Sequence, residues 1–228
     1  MRKIALITVA GLLGAAAPAI ALTTTTATPR KAGQPSTLHF DIDGVAPPVS
    51  GRLPESLTVS APGFRVSLNA IAKRCSEESA KLNECPAGSR IGSGSLVVAV
   101  TASGKVRIVT IPLSVYLHSN KSILTIAKVF GWQVVPATLD TRHGLVVRFD
   151  PLPAGPPFPG VSYALNRITL NFGATRVVKR HGPIAKARRI GLLRNPLSCR
   201  GSWPVTVTLG FRDATVAPIA TSTMCSKS

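Results

Sequence analysis

The 228-residue chain reads as all-β: an antiparallel β-sandwich of about eight or nine strands with one short helix and two local disulfides. Three observations predict this. Apolar residues alternate with polar ones over short runs, the period-two pattern of half-buried strands. Glycine and proline, 19 of each, separate those runs at turn spacing. Val and Thr are abundant whereas the helix formers Glu, Gln and Met are few, a bias toward strands. Aromatic residues make up only 5%, so the core rests on Val, Leu and Ile.

The elements follow in order. "MRKIALITVAGLLGAAAPAIA" has the three parts of an export signal: Arg2 and Lys3, an apolar run from Ile4 to Ala17, and the small residues Ala19 and Ala21. The run is shorter than the ~20 residues that span a bilayer, so residues 1–21 are expected to be cleaved rather than to anchor the protein. Residues 22–36, Thr-rich and Pro-punctuated, read as a flexible tether, and residues 37–228 as a single domain.

In that domain Leu38, Phe40 and Ile42 alternate with His39, Asp41 and Asp43. Leu57 and Val59 continue the pattern up to the turn-like "APGF". A helix is expected between Cys75 and Cys85, capped by Ser76, with Glu77 and Glu78 at its positive start and Lys81 at its end. "GSGS" (92–95) has the small residues of a phosphate loop without its Lys, and reads as a turn into the central strand "SLVVAV". "KVRIVTIPLSVYLH" holds Pro112, which places a bulge or an edge there. "SILTIAKVF", "GLVVRF" and "RITLNF" are further strands, and "DPLPAGPPFPGVS" (150–162) between the last two is a stiff, exposed loop. The final strand carries Val205, Val207, Leu209 and Phe211, and a return strand follows it between Cys199 and Cys225.

Composition narrows the function. All four cysteines (Cys75, Cys85, Cys199, Cys225) follow the export signal, and an even count outside the reducing cytosol points to disulfides. Four cysteines allow three pairings, of which the nearest-neighbour one closes two short loops. No Cys-x-x-Cys pair or neighbouring histidine supports zinc. The formal charge of +18 favours anionic partners, and export makes a cell-wall polymer or a membrane surface the expected one rather than nucleic acid. The densest basic stretch, 177–196, holds Lys179, Arg180, Lys186, Arg188, Arg189 and Arg194 without an acid. These six are the candidate anion-binding residues, on a segment whose Gly182, Pro183 and Gly191 oppose a continuous amphipathic helix.

Catalytic stock is thin: nine acids, four histidines, and no nucleophile elbow, zinc-protease or phosphate-loop motif. No cofactor is implied. His39, Asp41 and Asp43 share one strand face and are the weak metal candidates. An envelope hydrolase or carbohydrate-active enzyme would need two acids at glycosidase spacing, such as Asp41 or Asp43 with Asp140 or Asp150. An apolar-ligand carrier would need a cavity among the aliphatic inner faces.

Two segments carry a resemblance. "LPESLTVSAPGFRVSLNAIAKRC…ECPAGSRIGSGSLVV" and "NPLSCRGSWPVTVTLGFRDATVAPIATSTMC" resemble a group of exported β-rich proteins of high-GC Gram-positive (actinobacterial) bacteria. The shared pattern is a Cys, then Cys-Pro with Ser-x-Ile-Gly-x-Gly, and near the end Cys-x-Gly-x-Trp, a strand and a final Cys. Here these are Cys75, Cys85-Pro86, Ser89–Gly94, Cys199–Trp203 and Cys225. The resemblance implies an exported β domain with two local disulfides, and it implies no activity. The expected function is therefore non-catalytic binding or a structural role at the cell envelope, through a basic surface.

Overall fold

The computed structural model describes residues 22–43, 54–128, 131–152, 159–178, 188–211, 214–215 and 218–227. Residues 1–21, and with them the export signal, lie outside this set. Strand β1 (Leu22–Thr28) returns as β2 (Pro35–Asp43); β3 (Ser56–Pro62) and the short β4 (Arg65–Val66) precede helix α1 (Glu77–Lys81). The longest pair follows, β5 (Arg90–Ala102) and β6 (Lys105–Leu117), then β7 (Ser122–Lys128), β8 (Trp132–Asp140) and β9 (Gly144–Phe149). Next are β10 (Val161–Phe172), a two-stranded ribbon of β11 (Thr175–Val178) and β12 (Arg188–Gly191), and the short β13 (Leu193–Arg194). The chain ends with β14 (Ser202–Phe211), β15 (Ala214–Thr215) and β16 (Ile219–Met224).

The protein is all-β and antiparallel. All strands except the ribbon join in one 14-stranded sheet in the order β15-β14-β3-β9-β8-β7-β6-β5-β10-β2-β13-β4, with β1 beside β2 and β16 beside β14. Where the sequence led to the expectation of a sandwich, the strands instead form a single sheet that rolls over on itself. Its margins meet where β1 approaches β16. There the Ala27 N–H donates to Thr223 Oγ1 at 2.8 Å, and Lys31 and Ser226 form a parallel bridge. Rolling brings the aliphatic inner faces of all the long strands into one core, which includes Leu38, Ile42, Ile91, Leu117, Leu145 and Leu209, each almost fully buried. Each such side chain contributes roughly 1.5–3 kcal/mol.

The local predictions that depended on short-range chemistry match in detail. Helix α1 is capped by the Ser76 hydroxyl, which accepts from the Ser79 N–H at 3.1 Å. The disulfides are Cys75–Cys85 and Cys199–Cys225. Pro112 stands level with Lys128, the last residue of β7, just outside the paired stretch Leu113–Leu117, so it lies where the edge of β6 opens. The helix packs outside the sheet, so β7 is covered on both faces: Ile123 belongs to the main core, and Leu124 and Ile126 to a smaller cluster with Ala80 and Cys75. That double burial explains the nearly unbroken apolar run of β7.

Three expectations are corrected. Residues 22–36 are not a tether: 22–28 form β1, which pairs with β2 over seven positions, and β2 itself begins at Pro35. Threonine is a β-branched strand former, and Thr25 and Ala27 are buried while Thr24 and Thr28 are exposed. "GSGS" is not a turn but part of β5. Its glycines admit the neighbouring backbone, since a Cβ at Gly94 would lie 2.0 Å from the Thr169 carbonyl oxygen and one at Gly92 2.5 Å from that of Asn171. Finally, Val161 and Ser162 leave the proline-rich loop to begin β10, opposite Ala102 and Thr101 of β5.

Candidate anion-binding surface

Strand direction alternates round the sheet, so every link falls at one of two ends. One end, where the ribbon emerges, receives the links of residues 29–34, 63–89, 118–121, 141–143 and 173–201 and the tail from Cys225. In sequence these carry seventeen Lys or Arg and three acids. The links of the opposite end, at residues 44–55, 103–104, 129–131, 150–160 and 212–218, carry two cations and three acids in sequence, and the adjoining strand ends add Lys105, Arg107, Lys128, Arg148 and Asp43. Among the described residues the ribbon-end links hold fourteen cations against three acids, so positive charge gathers at that end.

Backbone bonds knit part of that end into a platform. Gly33 N–H donates to the Pro196 carbonyl at 2.9 Å, Asn195 N–H to that of Gln34 at 3.0 Å, and Ser226 N–H to that of Arg30 at 2.9 Å. The buried Asn195 amide donates to the Pro29 and Lys31 carbonyls at 2.6 and 2.8 Å. The Cys199–Cys225 bridge ties the last two segments, and Trp203 beneath them donates to the Ser198 carbonyl and meets Phe64 edge-on at 5.6 Å. Carried on this platform are Arg30, Lys31, Arg65, Arg200 and Lys227, all exposed, with half-buried Arg194. Arg194 stands opposite Arg65 in the ladder and donates to the Gly33 carbonyl at 3.5 Å. The three acids of this end, Glu77, Glu78 and Glu84, sit on the disulfide loop of α1, whose helix packs on β7 and β8.

Of the six candidates, Arg194 is thus on the platform. Arg188 and Arg189 are in β12, opposite Val178 and Val177 of β11, and the ribbon is rooted in the core by fully buried Leu192 and Leu193. Lys179, Arg180 and Lys186 lie outside the described residues. Sequence reading missed Arg30, Lys31, Arg65, Arg200 and Lys227, because they converge only through long-range pairing.

The acids singled out from the sequence are engaged by neighbouring side chains. Asp41 on β2 takes a bidentate pair from Arg167 of β10, and His39 Nδ1 is 2.8 Å from Asn171 Oδ1 of the same strand. Hydrogen bonding from Arg167 is the chief cause that holds the Asp41 carboxyl below its usual range. Asp140 is likewise held far below it, first by the Arg142 guanidinium and then by the Arg142 backbone N–H. Among the described residues no three His, Cys, Asp or Glu form a group able to hold a metal. The weak metal candidates are therefore engaged across strands, or, in the case of Asp43, set at the strand end.

Inside the roll, Phe40, Val115, Leu170, Val59, Val147 and Phe149 line an apolar void of about 20 Å³. That is room for about one water-sized sphere, against the 300–1,000 Å³ of a ligand pocket. Among the described residues no helix is long and apolar enough to cross a membrane, and the two disulfides fit an oxidising compartment. No protein-family model matches the chain, and neither does any curated protein or solved structure.

Proposed function

We propose that this is an exported, non-catalytic binding or structural protein of the bacterial cell envelope, which meets anionic polymers or lipid headgroups with its ribbon end. The observation that carries this reading is the uneven distribution of charge: among the described residues, fourteen cations against three acids on the links of one end. A surface evenly coated for solubility has no reason to place them so. Lys and Arg heads at that density attract phosphate or carboxylate arrays and release their counterions, so binding weakens as salt rises. Nucleic acid shares this chemistry but belongs to a different compartment from a disulfide-bonded exported protein.

The test is retention of the chain from Leu22 onward, which contains every described strand and both disulfides, on isolated cell-envelope fractions and on a polyphosphate resin. Retention at low salt, release at high salt, and loss on changing Lys179, Arg180, Lys186, Arg188, Arg189 and Arg194 to Gln are expected. Equal behaviour at both salts would overturn the reading.

A further inference from the structure

The end opposite the ribbon carries a surface of another kind. Strand β7 pairs with β6 only from Leu113 to Leu117, so Lys105–Pro112 has β5 on one side and no strand on the other among the described residues. On this projecting hairpin Val106, Ile108 and Val109 are 62%, 60% and 42% exposed, and Trp132 at the start of β8 is 41% exposed. These are four of the seven large hydrophobic side chains exposed among the described residues, so this end gathers most of them. Trp132 lies two strand spacings, about 10 Å, from the Pro112 end of the open stretch. Lys105, Arg107 and Lys128 are interleaved with them, all exposed, and Lys128 Nζ sits 5.5 Å from the Trp132 ring centroid. No acid occurs in sequence between Glu84 and Asp140.

We infer that the β5–β6 hairpin and Trp132 dock the protein on an anionic lipid surface, at the end opposite its basic ribbon. Three features select lipid over a protein partner. Side chains alternate along a strand, so Val106 and Ile108 project from one face and Val109 from the other. A protein groove covers one face, whereas a bilayer interface surrounds both. An exposed indole with the Lys128 ammonium 5.5 Å from its ring centroid, beside a hairpin of exposed Val and Ile interleaved with Lys105 and Arg107, has the aromatic, aliphatic and basic composition of the headgroup region. Against strand addition by a peptide or a second copy, Lys105 and Arg107 charge the open edge, and Pro112 removes an N–H from it. The edge backbone requires hydration, so the hairpin lies within the interface and does not enter the hydrocarbon. The exposed cations Lys105, Arg107 and Lys128 among these side chains make the preferred surface an anionic one. This inference rests on the envelope location proposed above.

The chain from Leu22 onward is floated with vesicles of phosphatidylglycerol and phosphatidylcholine, and with phosphatidylcholine alone, while tryptophan emission is followed. Trp203 is buried, so a blue shift on binding reports Trp132, and a Trp132→Phe variant should lose it. The variant Val106→Ser/Ile108→Ser/Val109→Ser should lose affinity for the anionic vesicles by about tenfold or more. Its retention on polyphosphate resin and its thermal unfolding should be unchanged. Anionic-vesicle binding by the triple variant equal to that of the parent, or binding with no shift of Trp132, would overturn the inference and leave the ribbon end as the lipid contact. No binding to anionic vesicles by the parent would overturn it as well. Loss of polyphosphate retention in the parent would instead sink the proposed function, so the two failures are distinct.

Discussion

Asp41 shows how the setting of one residue separates a structural role from a chemical one. Its alternation with His39 and Asp43 was legible in the sequence, and so was the outward face the three share. The partners were not. Arg167 and Asn171 come from a strand more than 120 residues away, and only the β2–β10 register brings them alongside. Solvent reaches Arg167, so the pair's contribution is screened and modest. Because Arg167 lowers the folded-state pKa of Asp41 from 3.8, its stabilisation is complete above the unfolded value. It is lost as pH falls through the lower folded value. Asp41→Asn should therefore lower stability measurably at pH 7, and the difference from the parent should vanish in strong acid. Urea unfolding at pH 7, 5 and 2 reads this directly. A difference that stays constant down to pH 2 would show that the substitution perturbs packing and that the ion pair contributes little.

The elements divide by the range of the forces that make them. Helix α1 was readable to its cap because Ser76, Glu77, Glu78 and Lys81 are neighbours in sequence, and the period-two strands because burial repeats every second residue. Strand β1 was hidden because threonine hydroxyls read as polar, although its buried positions face the margin formed by β16. Strand β8 was hidden by Pro136 and by having only Ala137 and Leu139 fully buried. The Gly92–Ser95 part of β5 resembled a turn because close approach of β10, rather than backbone freedom, selects its glycines. The Cys199–Cys225 bridge was legible as a clip, but not as part of the seam that closes the roll. Closing a 26-residue span is worth about 3.5 kcal/mol in chain entropy. The double variant Cys199→Ser/Cys225→Ser should lose up to that amount in denaturant unfolding. Hydrogen exchange should rise first in β16 and β1, on both sides of the seam, and least in the paired centre of β5. Uniform acceleration across the sheet would mean the bridge stabilises the whole fold and not its seam.

For the whole molecule, the sequence disclosed the total charge but not where it lies, since placing each link at an end requires the direction of every strand. With the directions known, the ribbon end gathers cations and the hairpin end gathers exposed aliphatic side chains and Trp132. Strand β5 alone runs 13 residues between those ends, about 43 Å at 3.3 Å per residue. A protein held on lipid by its hairpin would thus present its ribbon end some 40 Å away, clear of the headgroups and within reach of a polyanion. Two surfaces at that separation bind together, whereas one shared surface makes its ligands compete. Labelled polyphosphate should therefore co-float with phosphatidylglycerol vesicles only when the protein is present. Changing the six ribbon-segment cations to Gln should leave the protein on the vesicles without the polymer. The hairpin triple variant should keep the polymer in the soluble fraction, still bound to protein. If added polyphosphate instead displaces the parent from the vesicles, a single electrostatic surface serves both ligands and the two-ended arrangement is wrong.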